Sequence, residues 1–415
     1  MGFVRRRAVT AALTANAIRP LPGFRAGIPA FFAGWLTGEL APHILALTTA
    51  DTAAQLARGR RDKLGLALAA GSAVGLGYLI AQSRAVGKEA EDALVEGLGV
   101  DYMEQLEAEP TPAAVATQWR SLVNPFAMRR AGKRAGVRVH HNIEFAPYGK
   151  RGMLDVYASD ATPAEGAPVL LQVHGGAWVI GTKDQQGIPL MQHLATRGWV
   201  CVAINYRLAP RDPWPAQITD VKAAIAWIKE HIHEYGGHPS YLAITGGSAG
   251  GHLSALAALT PNDPAFQEGF EDADTTVQVA VPHYGVYDLA GVTGIRNVAL
   301  MRDKFMGPRV MRKRYADAPD VYEAASPILR ITPDAPDFFV LHGSHDTLVG
   351  VGQARQFVAK LREISKRTVV YAELPGAQHA FDVFPSIRSQ QVVHAIERYL
   401  NHHWTTWRRE TASAG

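Results

Sequence analysis

From about residue 140 to 405, short apolar runs alternate with helix-length segments, and this alternation restricts the fold more than any other feature of the chain. APVLLQVH, WVCVAINY, YLAITGG, VQVAVPHYG, DFFVLHG and TVVYAELPG are rich in β-branched residues and nearly continuous in hydrophobicity. Strands covered on both faces of a sheet have this texture. Between them lie stretches such as ITDVKAAIAWIKEHIHEYG and VGQARQFVAKLREISK, whose patterning suits helices. Ahead of the first run, VHHNIEFA and GMLDVYAS alternate and suit an opening hairpin. The expectation is an α/β architecture: a mostly parallel eight-stranded sheet with helices on both faces. Ligands of such sheets sit beyond the carboxyl ends of the strands. About fifty residues between VPHYG and DFFVLHG, roughly 286–335, exceed a simple crossover and read as a cap-like insertion over that rim.

The strongest chemical signal is 246-GGSAGGH-252, between the strand YLAITGG and the helix-like HLSALAALT. G-x-S-x-G in that setting holds its serine, Ser248, on a sharp strand-to-helix turn. A hydroxyl needs a base to take its proton before it attacks. The base is expected late in the chain with a carboxylate between the two. His379 in LPGAQHAF and Asp346 in LHGSHDTLV fit that order, each just past the carboxyl end of a strand. The run 174-HGGAW-178 follows APVLLQV, the third strand if the hairpin supplies two. Adjacent glycines let a backbone turn tightly and come close to another atom. The amides of Gly175 and Gly176, met by that of Ala249, are expected to stabilise the oxyanion formed when Ser248 attacks a carbonyl, each by ~3 kcal/mol. His174 is expected to anchor this loop, and Trp178 to pack it or wall the pocket.

The remaining histidines and acids have structural readings. His252 lies one turn into the elbow helix, His342 in a strand end, His345 beside Asp346, and His283 at the close of an earlier strand. Asp382, three residues beyond His379, is too near in sequence to reach that imidazole easily from its other side. His193, His231, His233 and His238 show no carboxylate or cysteine spacing, so neither a metal nor a cofactor is expected. The single cysteine, Cys201 in WVCVAINY, excludes internal disulfides and reads as a small core residue. A formal charge of +4 with no basic stripe interleaved with aromatics gives no reason to expect nucleic acid.

Through HGGAW, NYRLAP (205–210), GGSAGG, HGSHD and GAQHAF, residues 140–405 resemble the hormone-sensitive-lipase-like α/β-hydrolases, the bacterial family IV carboxylesterases. The resemblance implies an α/β-hydrolase fold, a triad of Ser248, Asp346 and His379, and an oxyanion hole at Gly175, Gly176 and Ala249. Many members carry a third glycine where this chain has Ala177. That departure speaks against esters of bulky tertiary alcohols, for which the fuller glycine motif is credited. The H-G-G-x-W form is also similar to arylformamidases of the same fold. The expected reaction is two-step hydrolysis of carboxylic esters with short to medium acyl chains, through an acyl-enzyme on Ser248. The alternatives are an arylformamidase or amidase, and an inactive ligand-binding protein, against which a complete triad argues.

The first 135 residues differ in kind and read as a helical segment ahead of a catalytic domain over 136–408, with EAEPTPAAVATQW and RRAGKRAGVR leading from one to the other. LGLALAAGSAVGLGYLIAQ, residues 64–82, runs without a charge between RGRRDK and Arg84. A bilayer core asks for roughly 20 such residues. An earlier stretch, AGIPAFFAGWLTGELAPHILAL, is interrupted by Glu39 and two prolines. Each contains a G-x-x-x-G spacing (Gly34/Gly38 and Gly71/Gly75) that permits close helix approach. The expectation is membrane association through residues 26–82 and a small-molecule ester or lipid substrate. The alternative is a cytoplasmic protein whose apolar helices pack on the main domain. MGFVRRR resembles a basic leader, but AVTAALTANA is too polar for a signal-peptide core. Basic residues precede both apolar stretches, so charge assigns no orientation.

Overall fold

The sheet opens with an antiparallel pair, β1 (Arg138–Glu144) and β2 (Met153–Ala158). Six strands follow: β3 (Ala167–Val173), β4 (Val200–Ile204), β5 (Gly237–Gly247), β6 (Val279–His283), β7 (Asp337–Gly343) and β8 (Val369–Leu374). Their spatial order is β1-β2-β4-β3-β5-β6-β7-β8, antiparallel as far as β2–β4 and parallel from β4 to β8. This is the mostly parallel eight-stranded sheet expected from the alternation. The computed structural model describes residues 2–414 apart from 22, 107–115, 125–126 and 164–165, so most of EAEPTPAAVATQW lies outside the described residues.

Successive strand side chains point to opposite faces, and both faces are covered. Val169, Leu171 and Val173 enter one core while Leu170 enters the other; Phe338 and Val340 part in the same way from Phe339 and Leu341. The first core is closed by α8 (Ala216–His231), α9 (Ala249–Leu259) and α12 (Gly352–Ile364). The second is closed by α4 (Lys63–Leu98), α7 (Ile188–Thr196) and α13 (Ile387–Ala414). Cys201 is fully buried in that second core, and burial pushes its thiol well up. Between β6 and β7 the chain forms α10 (Arg296–Met301), a π-helical turn at Arg302–Met311 and α11 (Pro319–Ala324). This segment is anchored from within, because Met306 and Val310 belong to the first core and Val310 accepts the amide of Trp214.

The amino-terminal helices are α1 (Phe3–Ile18), α2 (Phe24–Glu39) and α3 (Ala41–Ala57), followed by α4 and the short α5 (Trp119–Val123) and α6 (Ala127–Arg134). One face of α4 is buried along its whole length. Its second half carries Val86, Ala90 and Leu94 into the second core, beside α13 and β8. Its first half packs on α1, where a Cβ on Gly75 would lie 2.6 Å from Thr14; a Cβ on Gly71 would meet nothing within 4 Å. The Gly71/Gly75 spacing is therefore half used, for an intramolecular contact. α4 is long and apolar enough to cross a membrane, and α2 with α3, bent by 77°, passes the same test as a pair.

Candidate active site

Register brings four strand ends to one rim: Gly246 pairs with Val173, Gly247 with His283, and His283 with Leu341. Just beyond β5 the chain must reverse into α9, and Ser248 makes that turn with φ 59° and ψ −119°. A non-glycine residue there is strained and persists only where its surroundings fix it. They do so here: the Ser248 amide donates to the His283 carbonyl at 3.0 Å, and the Ser248 carbonyl accepts from His252 N–H at 2.9 Å.

The loop after β7 carries Asp346 and the loop after β8 carries His379, both almost fully buried. His379 Nδ1 lies 2.7 Å from Asp346 Oδ2, while Asp346 Oδ1 accepts the amides of Leu348 and Val349 at 2.9 and 2.8 Å. Burial pushes the Asp346 carboxyl up, but His379 and the bond from His342 outweigh it and hold the group well below the carboxylate range. An ionised Asp346 fixes the tautomer. Nδ1 of His379 donates, which leaves the Nε2 lone pair to accept a proton. Gln378 ties the two loops together by accepting the amides of Thr347 (2.8 Å) and His379 (3.0 Å). Among the described residues no hydrogen bond joins Ser248 Oγ to His379; in resting hydrolases this bond is often long and tightens with substrate.

The HGGAW loop lies against the elbow. A Cβ on Gly175 would sit 2.6 Å from the Gly247 carbonyl and 3.3 Å from Ser248 Cβ, so only glycine fits. One expectation needs correction here. The Gly175 amide donates to Gln186 Oε1 at 2.7 Å and is not available to an oxyanion. Gly176, at φ 121°, and Ala177, at φ 52°, turn the chain next, and neither amide makes a hydrogen bond among the described residues. The amide of Ala249, at the start of α9, likewise has no hydrogen-bond partner among the described residues. His174 is buried and stacked on Tyr206 with centroids 4.2 Å apart, and its Nδ1 meets the Gly175 carbonyl at 2.7 Å. Burial lowers its pKa to about 4, so it is a neutral anchor at ordinary pH. Trp178 donates its indole N–H to His252 Nδ1 at 3.2 Å, and His252 Nε2 reaches the Ala325 carbonyl at 2.7 Å. Trp178 thus packs the loop, and His252 links it to the β6–β7 segment.

Two groups near the imidazole escaped the sequence reading. Tyr284, just past β6, has its ring 4.6 Å from that of His379 and would obstruct any side chain on Gly247. Its hydroxyl donates to Asp382 Oδ1 at 2.5 Å, and Asp382 Oδ2 meets His283 Nδ1 at 2.5 Å. Asp382 therefore serves a brace beneath the elbow and not His379. The second group is α2. The Phe31 ring stands edge-on to His379 at 5.8 Å and stacks on Trp35, which touches Phe384. Glu39, the charge that interrupts the apolar stretch, is buried in an ion pair with Arg388 and accepts from Ser386 Oγ at 2.6 Å. Thr347 Oγ1 bonds the Gly27 carbonyl at 3.0 Å. The amino-terminal helices are thereby clamped to the loops that carry both Asp346 and His379.

The BD-FAE family model matches residues 154–361. A Mycobacterium tuberculosis protein described as "Probable carboxylic ester hydrolase LipM" is 45% identical over 95% of this chain and 91% of its own length. The chain belongs to the hormone-sensitive-lipase-like carboxylesterases. "Esterase LipQ" of the same organism is 46% identical over 74% of this chain and 72% of its own length. At 95% coverage the likeness to LipM takes in the amino-terminal helices as well as the hydrolase core. Among solved structures, a butyrate-bound esterase of Thermogutta terrifontis shares the fold, with a TM-score of 0.53 and 23% identity over 64% of this chain and 93% of that one. This carboxylesterase thus shares a hydrolase fold with the Thermogutta enzyme over about two thirds of its length.

Proposed function

We propose that this chain is a serine carboxylesterase whose nucleophile is Ser248. His379 Nε2 takes the hydroxyl proton as Oγ attacks the ester carbonyl, and Asp346 holds and stabilises the imidazolium. Gly176, Ala177 and Ala249 supply amides for the oxyanion. The proton passes to the leaving alcohol. Water, activated by the same imidazole, then releases the carboxylic acid. The observation that carries this reading is the buried 2.7 Å His379–Asp346 bond on the rim that also holds the strained Ser248 turn. Turnover of p-nitrophenyl esters of graded chain length tests it, with N-formyl-anilides as the competing substrates. Short to medium esters are expected to be hydrolysed, and Ser248→Ala to lose at least about 10³-fold in kcat. Preference for the anilides would favour a formamidase, and activity surviving in the alanine variant would overturn the assignment.

Residues 1–135 act in this reading as a cap that also docks on a membrane, with a lipid-derived ester as the substrate class. Eleven of the seventeen exposed large apolar side chains among the described residues fall within the first 78 positions, among them Ile28, Phe32, Leu47, Leu64 and Val74. Arg19, Arg58, Arg60, Arg61 and Lys63 are exposed nearby. Apolar side chains with a basic fringe suit an anionic bilayer surface. The Glu39–Arg388 pair and the burial of Val86 and Leu94 tie α2 and α4 to the catalytic domain, which favours docking in the interface plane over spanning.

A further inference from the structure

α7 and α13 meet on the sheet face opposite α9, and their seam holds a cluster that the catalytic scheme does not use. His394 and Glu397 lie three residues apart on α13, hence on one side of the helix. His193 projects from α7 toward them. His193 Nε2 is 2.8 Å and His394 Nδ1 3.4 Å from the same carboxylate oxygen, Glu397 Oε2, and the two rings meet edge to face at 4.6 Å. One atom of each residue falls within 4.8 Å of the other two.

We propose that His193, His394 and Glu397 form a binding site for a transition-metal ion, Zn²⁺ foremost. Four-coordinate zinc, with ligands near 2.0–2.1 Å, holds neighbouring donor atoms ~3.3 Å apart. The observed 2.8 and 3.4 Å from the imidazoles to Glu397 Oε2 bracket that spacing, and the two histidines offer ring nitrogens within 4.8 Å of each other, a gap that side-chain movement has to close. The other carboxylate oxygen, Oε1, is held 3.2 Å from Arg197 Nε, which orients Oε2 as a single-oxygen ligand. His193 and His394 also line a cavity of about 840 Å³, which gives a fourth ligand room to enter. Two imidazoles and one carboxylate select zinc, nickel or copper over magnesium or calcium. Bound, the ion cross-links α7 to α13, the helix that follows the His379 loop.

Full-length protein, freed of metal with EDTA and dialysed, is titrated with ZnCl₂ by calorimetry, with Tm followed in parallel. One Zn²⁺ per chain and a rise in Tm are expected, as for any ligand that binds the native state. Co²⁺ is expected to give the absorption of a tetrahedral or five-coordinate site. Glu397→Gln and the milder His193→Asn each lower zinc affinity at least about tenfold, whereas His238→Asn leaves it unchanged. Fluorophosphonate labelling of Ser248 reports that each variant is folded. Absence of saturable binding by the wild type overturns the proposal. So does wild-type affinity in His193→Asn, which decides the matter alone if Glu397→Gln does not fold.

Discussion

Two buried carboxylates flank the His379 loop, and their bonds give them different work. Asp346 faces the imidazole; Asp382 faces His283 and Tyr284. Asp346→Asn is therefore expected to lower kcat/KM by ~10³–10⁴-fold, because the amide no longer holds the reactive tautomer. Asp382→Asn is expected to lose about tenfold or less, with Tm reduced by the loss of charge-assisted bonds worth ~1–3 kcal/mol. Steady-state kinetics with one p-nitrophenyl ester, beside thermal melts, separates them, and the reverse order would reassign the acid. Two buried histidines set an acid limit to stability. His174 and His252 have their pKa lowered from 6.5 to about 4 by burial. The unfolded chain takes up protons below pH ~6.5 that the folded state refuses until ~4, so unfolding becomes easier across that window. Tm is expected to fall steadily from pH 6.5 to 4.5; a flat profile would show that neither ring stays buried and neutral.

At the scale of elements, the amino-terminal helices are packed directly on the loops that carry His379 and Asp346. Removing Glu39 would leave Arg388 as an unpaired buried charge, a loss of ~3–5 kcal/mol. Removing α2 would also strip Phe31 from His379 and free the Gly27–Thr347 bond. A chain beginning at residue 136 is expected to lose at least about 100-fold in kcat/KM, since small displacements of catalytic groups have effects of that size. Full activity in the truncated chain would make the clamp irrelevant. Little of this was legible in the sequence. The parallel strands announced themselves as nearly continuous apolar runs separated by helix-length segments, and Ser248, Asp346 and His379 through turns placed after strands. Glu39 read as an interruption because its partner Arg388 lies 349 positions away. Gln186, which claims the Gly175 amide, sits in a polar loop whose path no local pattern fixes. Tyr284 carries no motif at all, and only the register of β6 beside β5 places it under the elbow.

For the whole molecule, the exposed large apolar side chains are concentrated in the first 78 positions, the face that the proposed membrane docking would use. Flotation of the full-length protein with vesicles of phosphatidylcholine and phosphatidylglycerol is expected, and Phe32→Asp together with Leu47→Asp is expected to leave most of it in the dense fraction. Flotation unaffected by those changes, or none by the wild type, would remove the membrane from the account. Both outcomes leave the chemistry at the rim untouched. That chemistry is tested most directly by a fluorophosphonate probe followed by mapping of the modified peptide. A single adduct is expected, on Ser248, formed far more slowly when His379 is replaced by alanine. An adduct on another residue, or labelling that ignores the loss of the imidazole, would contradict that chemistry.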